Sequence, residues 1–207
     1  MTFRFIILLA FVSLTGCVQM GHLKPLSSDR ELSESDAFIY GKFELHRTGY
    51  QISGIWISLL KDNQEHSSLL QFKKKDNVLA VLLEPGQYRI DKFVFAPGGP
   101  GGPSMWTKSE ITEIPIEGEL AFLDQKFIVR KGGAVYLGDF IGFTGRAPSE
   151  ELFTFGFKGG VSSVANNFLE TTDNLNSKYP ELKGYRKLVA PYLESLAVNK
   201  AKQAGTH

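Results

Sequence analysis

Residues 78–90 decide the fold: they are Val-Leu-Ala-Val-Leu-Leu-Glu-Pro-Gly-Gln-Tyr-Arg-Ile. The run Val78–Leu83 is apolar without interruption and has the length of a strand, which is typical of a strand covered on both faces. Glu84-Pro85-Gly86-Gln87 follows it, with proline and glycine at the two central positions of a type II turn. The stretch therefore predicts a buried strand and a hairpin turn into the next strand.

Similar stretches lie on either side of this one. In Ala37–Leu45 every second residue is apolar, and the residues between them include Lys42 and Glu44, which indicates a strand with one dry and one wet face. Tyr50–Leu60 is apolar on both faces, and Leu152–Phe157 is the last expected strand. Eight or nine strands without interleaved helices favour an antiparallel β-sandwich over residues 37–160, with a barrel-like closure as the alternative.

Turn residues and phase changes divide the second half of this domain. Gly118 and Gly132-Gly133 precede the apolar stretches Glu119–Val129 and Ala134–Phe143. The apolar phase slips once between Ile90 and Phe93, and again within Glu119–Val129. Each slip predicts a β-bulge or a break in the strand.

The pattern changes at Val161. Apolar residues then follow helical spacing: Val161, Val164, Ala165, Phe168 and Leu169 in a first group, and Leu182, Tyr185, Leu188, Val189, Tyr192, Leu193 and Leu196 in a second. Pro180 begins the second group, and Pro191 interrupts it with a kink or a second short helix. We expect C-terminal helices over 161–198 on the same domain and a tail over 199–207. Whether this chain or a partner covers their apolar faces stays open.

Composition limits the classes of protein. The 207 residues include 23 Lys+Arg, 22 Asp+Glu and a single Cys, and 43% are hydrophobic. A nearly neutral chain is not expected to bind nucleic acid, which requires a basic surface. One cysteine excludes an intrachain disulfide framework. The chain is expected to form one globular domain.

The first sixteen residues have the features of a secretory signal peptide. Arg4 supplies a positive n-region, and the apolar run from Phe5 to Val12 is followed by small residues. The run is too short to cross a bilayer, since a spanning helix needs about 20 apolar residues. We expect residues 1–16 to be removed.

Leu14-Thr15-Gly16-Cys17 resembles the lipobox of bacterial lipoproteins, and all four positions match. The resemblance implies a diacylglycerol thioether on Cys17, cleavage before it and acylation of the new amino terminus. Stable anchoring needs at least two acyl chains, which this modification supplies. In enteric lipoproteins an Asp directly after the modified cysteine favours retention in the inner membrane, and here that residue is Val18. The resemblance therefore implies lipid anchoring in the bacterial outer membrane, facing the periplasm. The membrane is then a partner through Cys17.

Residues 17–36 are polar after the cysteine and poor in large apolar side chains. They are expected to be a flexible tether. The nineteen residues Val18–Asp36 reach at most about 65 Å when fully extended, so the domain should stay near its membrane.

Candidate catalytic groups are few. Ser58-Leu59-Leu60-Lys61 matches S-x-x-K, but that motif works at the start of a helix and here it lies in a strand pattern. The histidines fall in polar surroundings or at the end of the chain and form no metal spacing: His22, His46, His66 and His207. Four carboxylates could form a pair for glycoside hydrolysis, although they are more typical of solvated edge charges: Glu110, Glu113, Glu117 and Glu119. No catalytic residue, metal ligand or cofactor is predicted.

The glycine- and proline-rich segment 96–106 is the one unusual loop. Its prolines remove backbone donors and no helix follows, which argues against a phosphate loop. A plain connection between strands is the favoured interpretation. The alternative is a binding loop in which Met105 and Trp106 offer apolar surface.

Two further pieces, Leu83–Arg89 and Phe127–Gly138, resemble a pattern of poorly characterised envelope lipoproteins with a prealbumin-like or immunoglobulin-like β-domain. The resemblance supports the fold and carries no catalytic group. The leading hypothesis is a non-enzymatic envelope lipoprotein that acts as a binding or structural module in an envelope protein complex. The alternatives are a carrier of a small apolar ligand, and an envelope glycan or peptide hydrolase with unidentified carboxylates.

Overall fold

The computed structural model describes residues 21–27, 30–45, 50–61, 64–72, 78–97, 112–143, 153–157 and 160–196. Its strands, in chain order, are β1 Gly21–Leu23, β2 Ala37–Leu45, β3 Tyr50–Lys61, β4 Gln64–Gln71, β5 Val78–Leu83, β6 Gly86–Pro97, β7 Thr112–Pro115, β8 Phe127–Val129, β9 Gly133–Phe143, β10 Phe153–Phe157, β11 Gly160–Ala165 and β12 Arg186–Val189. One α-helix, α1, spans Phe168–Lys178, and 3₁₀ helices span Gly118–Leu123, Pro180–Leu182 and Pro191–Leu193.

The strands form two six-stranded sheets. Sheet I has the order β1-β4-β3-β6-β7, with β8 also paired to β6. Sheet II has the order β10-β11-β9-β2-β5, with β12 also paired to β9. Within the described ranges the sheets do not close into a barrel, and the predicted β-sandwich is confirmed. One α-helix of the described residues lies near the C-terminus, where the sequence predicted a helical segment.

Both sheets are mixed, whereas the sequence predicted antiparallel pairing. Three pairs are parallel: β1 with β4, β2 with β9, and β12 with β9. Short strands separated by turn residues are the local pattern of antiparallel hairpins. Parallel pairing between strands far apart in the sequence has no local pattern of this kind, so the sequence did not predict it. The β2–β9 pair joins Phe38 to Ala134, and strands of sheet I lie between them in the sequence.

The turn after Val78–Leu83 does not make a hairpin. β5 belongs to sheet II and β6 to sheet I, so Glu84-Pro85 crosses from one sheet to the other. Gly86 is not among the described glycines with positive φ, which are Gly132 and Gly138. Turn chemistry predicts the reversal correctly, but it does not specify which sheet receives the next strand.

Both predicted phase slips have structural counterparts. The register between β3 and β6 shifts where Trp56 pairs with Lys92 and Ile57 with Ile90, which leaves Asp91 as an extra residue in β6. The second slip is a break, because the 3₁₀ helix Gly118–Leu123 precedes β8. The predicted strand Glu119–Val129 was therefore wrong except for its last three residues.

The C-terminal part differs most from its prediction. Residues 160–165 form β11, and the helix begins only at Phe168. The second helical pattern is two 3₁₀ turns, each beginning at a proline, with β12 between them on the edge of β9. Leu182 and Tyr192 are fully buried within this chain. The apolar faces therefore pack on the sandwich itself, and the question left open by the sequence is answered.

Aromatic rings fill the space between the sheets. Phe140 of β9 stacks on Phe43 of β2 with ring centroids 5.6 Å apart, and Phe93 of β6 lies 6.1 Å from Phe140. Phe72 completes the cluster at 5.0 Å from Phe43. All four rings are fully buried. They join strands of both sheets at the centre of the core.

We expect Phe140→Ala to lower the free energy of unfolding by about 3–5 kcal/mol, since it removes a buried ring and leaves a cavity. Urea unfolding of the wild-type and variant proteins measures the change. Leu169→Ala is the control, because Leu169 is 77% exposed and its removal should change stability by less than about 0.5 kcal/mol. Equal effects of the two substitutions would contradict this view of the core.

Candidate functional site

The residues predicted to carry function fall mostly outside the described ranges. Cys17, Met105 and Trp106 are among these, as is His46. His22 and His66 are described, and both are exposed on sheet I. The predicted site residues Cys17, Met105 and Trp106 thus all lie outside the part of the chain that the structure describes.

Residues 21–26, which we call the strap, close one side of the sandwich. β1 pairs in parallel with β4 and forms the edge of sheet I, with Gly21 opposite Ser68. Two residues after the end of β1 the chain reaches β5, the edge of sheet II, where Pro25 bridges Val81 and the Leu26 N–H donates to the Ala80 carbonyl at 2.7 Å. The strap thus joins the edges of both sheets, in a region that the sequence predicted as a flexible tether.

Packing explains the strap. Leu26 is only 8% exposed and belongs to the main core, and Leu23 packs against the same core. A Cβ on Gly21 would lie 2.8 Å from the Ser68 Oγ, so the backbone of β1 approaches β4 where only glycine fits without a shift. Single apolar residues in a polar segment give too weak a pattern for prediction. The burial of Leu23 and Leu26 was therefore not predicted from the sequence.

The strap shortens the distance between the domain and Cys17. Three residues, Val18 to Met20, separate Cys17 from Gly21, so the two Cα atoms lie at most about 14 Å apart. β1 runs parallel to β4, whose first residue Gln64 lies beside Lys61 at one end of sheet I. The N-terminus of β1 therefore points towards that end, where Glu84-Pro85 also crosses between the sheets.

A cleft opens between the sheets beside the strap, and we call it the end cleft. Its volume is about 260 Å³. Its walls are mostly apolar and come from both sheets and the strap: Leu23, Ile57, Leu59, Leu82, Leu83 and Tyr88, with His66, Ser68 and Glu84 as polar members. All four leucines that line the cleft are half-buried, so apolar surface remains accessible there.

The crossing at Glu84-Pro85 shapes this cleft. The Tyr88 Oη donates a hydrogen bond to the Glu84 carbonyl at 2.7 Å, which holds the crossing against β6. Burial and the charge of Glu84 raise the pKa of Tyr88 to about 12, so the phenol stays a donor at neutral pH. A Cβ on Gly86 would lie 2.5 Å from Leu59 Cδ1, and the glycine thus leaves room for Leu59 at the cleft.

A wider groove of about 520 Å³ lies at the start of β9 and β12, around Gly132 and Tyr185. Arg30 lies on its wall together with the acidic Glu34 and Glu181. The Tyr185 Oη donates to the Ser33 carbonyl at 2.6 Å. Exposed charges of both signs surround this groove, so its lining selects no single ligand chemistry.

The outer face of sheet I carries Ser58, the serine of the S-x-x-K match. Ser58 lies in β3, as the sequence predicted, and it is fully buried. Its hydroxyl donates to the Asp91 carboxylate and lies 2.6 Å from the Ser67 Oγ. Arg89 pairs with the same carboxylate at 2.9 Å. This arrangement holds three strands together and leaves the serine no access to a substrate.

Of the four candidate carboxylates, Glu113 has the best-defined contacts. It accepts a hydrogen bond from the Trp56 Nε1 at 2.8 Å and pairs with the Lys92 Nζ at 2.5 Å. Glu117 is exposed, Glu119 lies in the first 3₁₀ helix, and Glu110 lies outside the described residues. Glu113 therefore acts as a partner that joins β7 to its neighbours β6 and β3.

Asp139 is a buried carboxylate on the outer face of sheet II. It accepts hydrogen bonds from the Tyr136 Oη at 2.8 Å, the Thr171 Oγ1 at 2.9 Å and the Asn167 Nδ2 at 3.0 Å. Thr171 lies in α1, so the carboxylate fixes the helix to β9. Burial raises the pKa of Asp139 and outweighs these hydrogen bonds and the charge of Lys42, which act to lower it.

No helix in the described ranges is both long and apolar enough to span a membrane. No three His, Cys, Asp or Glu side chains within these ranges are grouped so that they could hold a metal ion.

We expect Asp139 to make stability depend on pH. Its folded pKa lies above the ordinary value of 3.8, so the folded state binds more protons than the unfolded state once the pH exceeds 3.8. Stability must then fall as pH rises through the folded pKa. Asp139→Asn cannot titrate, and urea unfolding from pH 4 to 7 should show its stability rising relative to the wild type. A difference that is constant or moves the other way would exclude this role for Asp139.

Comparison with known proteins finds no relative: no family model, no curated protein and no solved structure matches this chain. The resemblances carried by Leu14–Cys17 and by the two β-domain pieces therefore stay predictions. Roles for individual residues must come from the chain's own contacts.

Proposed function

We propose that this chain is a lipid-anchored lipoprotein of the bacterial outer membrane, and that its β-sandwich is a non-enzymatic binding or structural module on the periplasmic side. The observation that carries the proposal is the strap. It fixes the folded domain to a point four residues after Cys17, the residue that the lipobox marks for lipid attachment.

The strap limits how the domain sits. With a free tether up to Asp36 the sandwich would stand up to about 65 Å from its anchor, but with β1 paired the reach is about 14 Å. A domain held this closely presents the end near Lys61, Gln64 and Glu84 to the lipid surface. The other end then points away from the membrane, towards soluble or membrane-bound partners.

The polar clusters support a non-enzymatic role. Ser58 and Asp91 bond to each other inside sheet I, and Glu113 is shared between Trp56 and Lys92. Catalytic groups need access to a substrate and a geometry free to react. In these clusters the same side chains bond to their neighbours across the sheet.

The core also bears on the ligand-carrier alternative. The aromatic cluster around Phe140 occupies the middle of the sandwich, where a carrier would hold its ligand. The end cleft is the apolar space that favours this alternative. Its volume of about 260 Å³ is below the 300–1,000 Å³ usual for small-molecule sites.

Lipid attachment is tested directly by growth with labelled palmitate. The full-length protein should incorporate the label, whereas Cys17→Ser should not, because the thioether and the acylated amino terminus both require the cysteine. Cys17→Ser is a matched control because it changes one atom outside the folded strap. Equal labelling of the two proteins would refute the anchor.

A partner held near the membrane is tested by crosslinking in living cells. We expect one envelope protein to be captured by the anchored protein and not by Cys17→Ser. Inserting twenty Gly/Ser residues between Met20 and Gly21 keeps the strap but adds a coil with a mean span of about 25 Å, and it should reduce capture. Capture that is equal for the anchored and unanchored forms would contradict a role at the membrane.

A further inference from the structure

The end cleft combines an apolar lining with a position beside the strap. Its leucines are half-buried and face a common space, and it adjoins the first described residues of the chain. Ser68 lines the cleft and is also the residue paired with Gly21. The chain therefore passes the cleft wall within four residues of Cys17.

We propose that the end cleft binds part of one fatty acyl chain carried by Cys17 itself when the protein is outside the bilayer. This inference rests on the proposed lipidation of Cys17. The cleft then shields apolar carbon from water during transfer of the protein between membranes, and it is vacated when the acyl chain enters lipid.

The distance permits this. Cys17 lies at most about 14 Å from Gly21, and the strand direction of β1 points its N-terminus towards the end of the sandwich where Glu84-Pro85 crosses. The strap also supplies Leu23 to the cleft wall. The occupant is thus tethered beside its site, at a high effective concentration that a free lipid lacks.

The chemistry of the walls fits an alkyl chain. Leu59 of sheet I faces Leu82 and Leu83 of sheet II across the cleft, and the polar His66 and Glu84 are exposed. Each methylene that moves from water into such a site raises the binding constant by roughly fourfold. A volume of about 260 Å³ takes part of one chain and not a whole anchor.

The cleft and the bilayer compete for the same acyl chain, and this competition determines when the cleft is occupied. Lipid tails are as apolar as leucine side chains, so a chain gains little by leaving the membrane for the cleft. In water the same chain has no other apolar environment within reach. Occupancy is therefore expected in detergent-free solution and lost on addition of vesicles.

The test places a photoreactive benzophenone residue at position 66, at the exposed side of the cleft, in the full lipidated protein. The control carries it at position 169, on the exposed side of α1. Both proteins are purified in detergent, transferred to detergent-free buffer, irradiated and digested for mass spectrometry. We expect a crosslink between residue 66 and the acylated Cys17 peptide, at least tenfold above the control and abolished by phosphatidylethanolamine vesicles.

A second variant tests the walls. Leu83→Gln removes apolar lining without adding volume, and should reduce the crosslink at least fivefold. Leu169→Gln is its matched control and should leave the crosslink unchanged. Urea unfolding of each variant shows whether the sandwich is intact, and if Leu83→Gln fails to fold, Leu82→Gln replaces it.

Each other outcome overturns a specific part of the proposal. A crosslink to free phospholipid would show that the cleft takes lipid from elsewhere, and equal crosslinking at positions 66 and 169 would show non-specific collapse. An acylated Cys17 peptide without any crosslink would refute the cleft while leaving the anchor in place. An unmodified Cys17 peptide would refute the proposed lipoprotein itself.

Discussion

Strand β9 is the element on which the rest of the structure depends, because it borders strands on both edges along its length. β2 pairs with one edge, and β12 and β11 share the other. Its register with β2 shifts beyond Tyr136, where Gly138 has φ +111° and its carbonyl would be 2.4 Å from a Cβ on Gly41. This bulge places Asp139 under α1 and Phe140 in the core, so one strand organises both faces of sheet II.

The strap has a similar role at the side of the sandwich. Sheet edges are sites of unwanted pairing, and proteins commonly cover them. Here six residues cover the edges of both sheets, through β1 on one side and Leu26 on the other. The same contacts turn a segment of tether composition into part of the fold, and they bring the proposed anchor and the end cleft into one region.

Local pattern predicted most of the strands and little of their arrangement. Alternation and apolar runs located β2, β3, β5 and β9, because burial of a strand face leaves a direct trace in the sequence. The helical spacing around Val161 and Leu188 led to a wrong prediction of helices, because a strand paired with β9 can bury the same residues. Glu84-Pro85 predicted a reversal but not the crossing to the other sheet. The cleft could not be predicted from the sequence, because its walls come from five strands: β1, β3, β4, β5 and β6.

The strap is held by few contacts, and its release would lengthen the free segment after Cys17. β1 contributes only three paired residues, and Pro25 and Leu26 add one short contact with β5. If a pull on the proposed anchor separated these contacts, the free segment would grow from three residues to fourteen, Val18 to Glu31, because Leu32 packs against the core and Tyr185 holds Ser33. The span would then grow from about 14 Å to about 50 Å. The sandwich would keep its central aromatic cluster and its β9 pairings throughout. Mechanically, if Cys17 is lipidated as proposed, the strap is a folded segment that would let the domain move away from its membrane under tension before its core is disturbed.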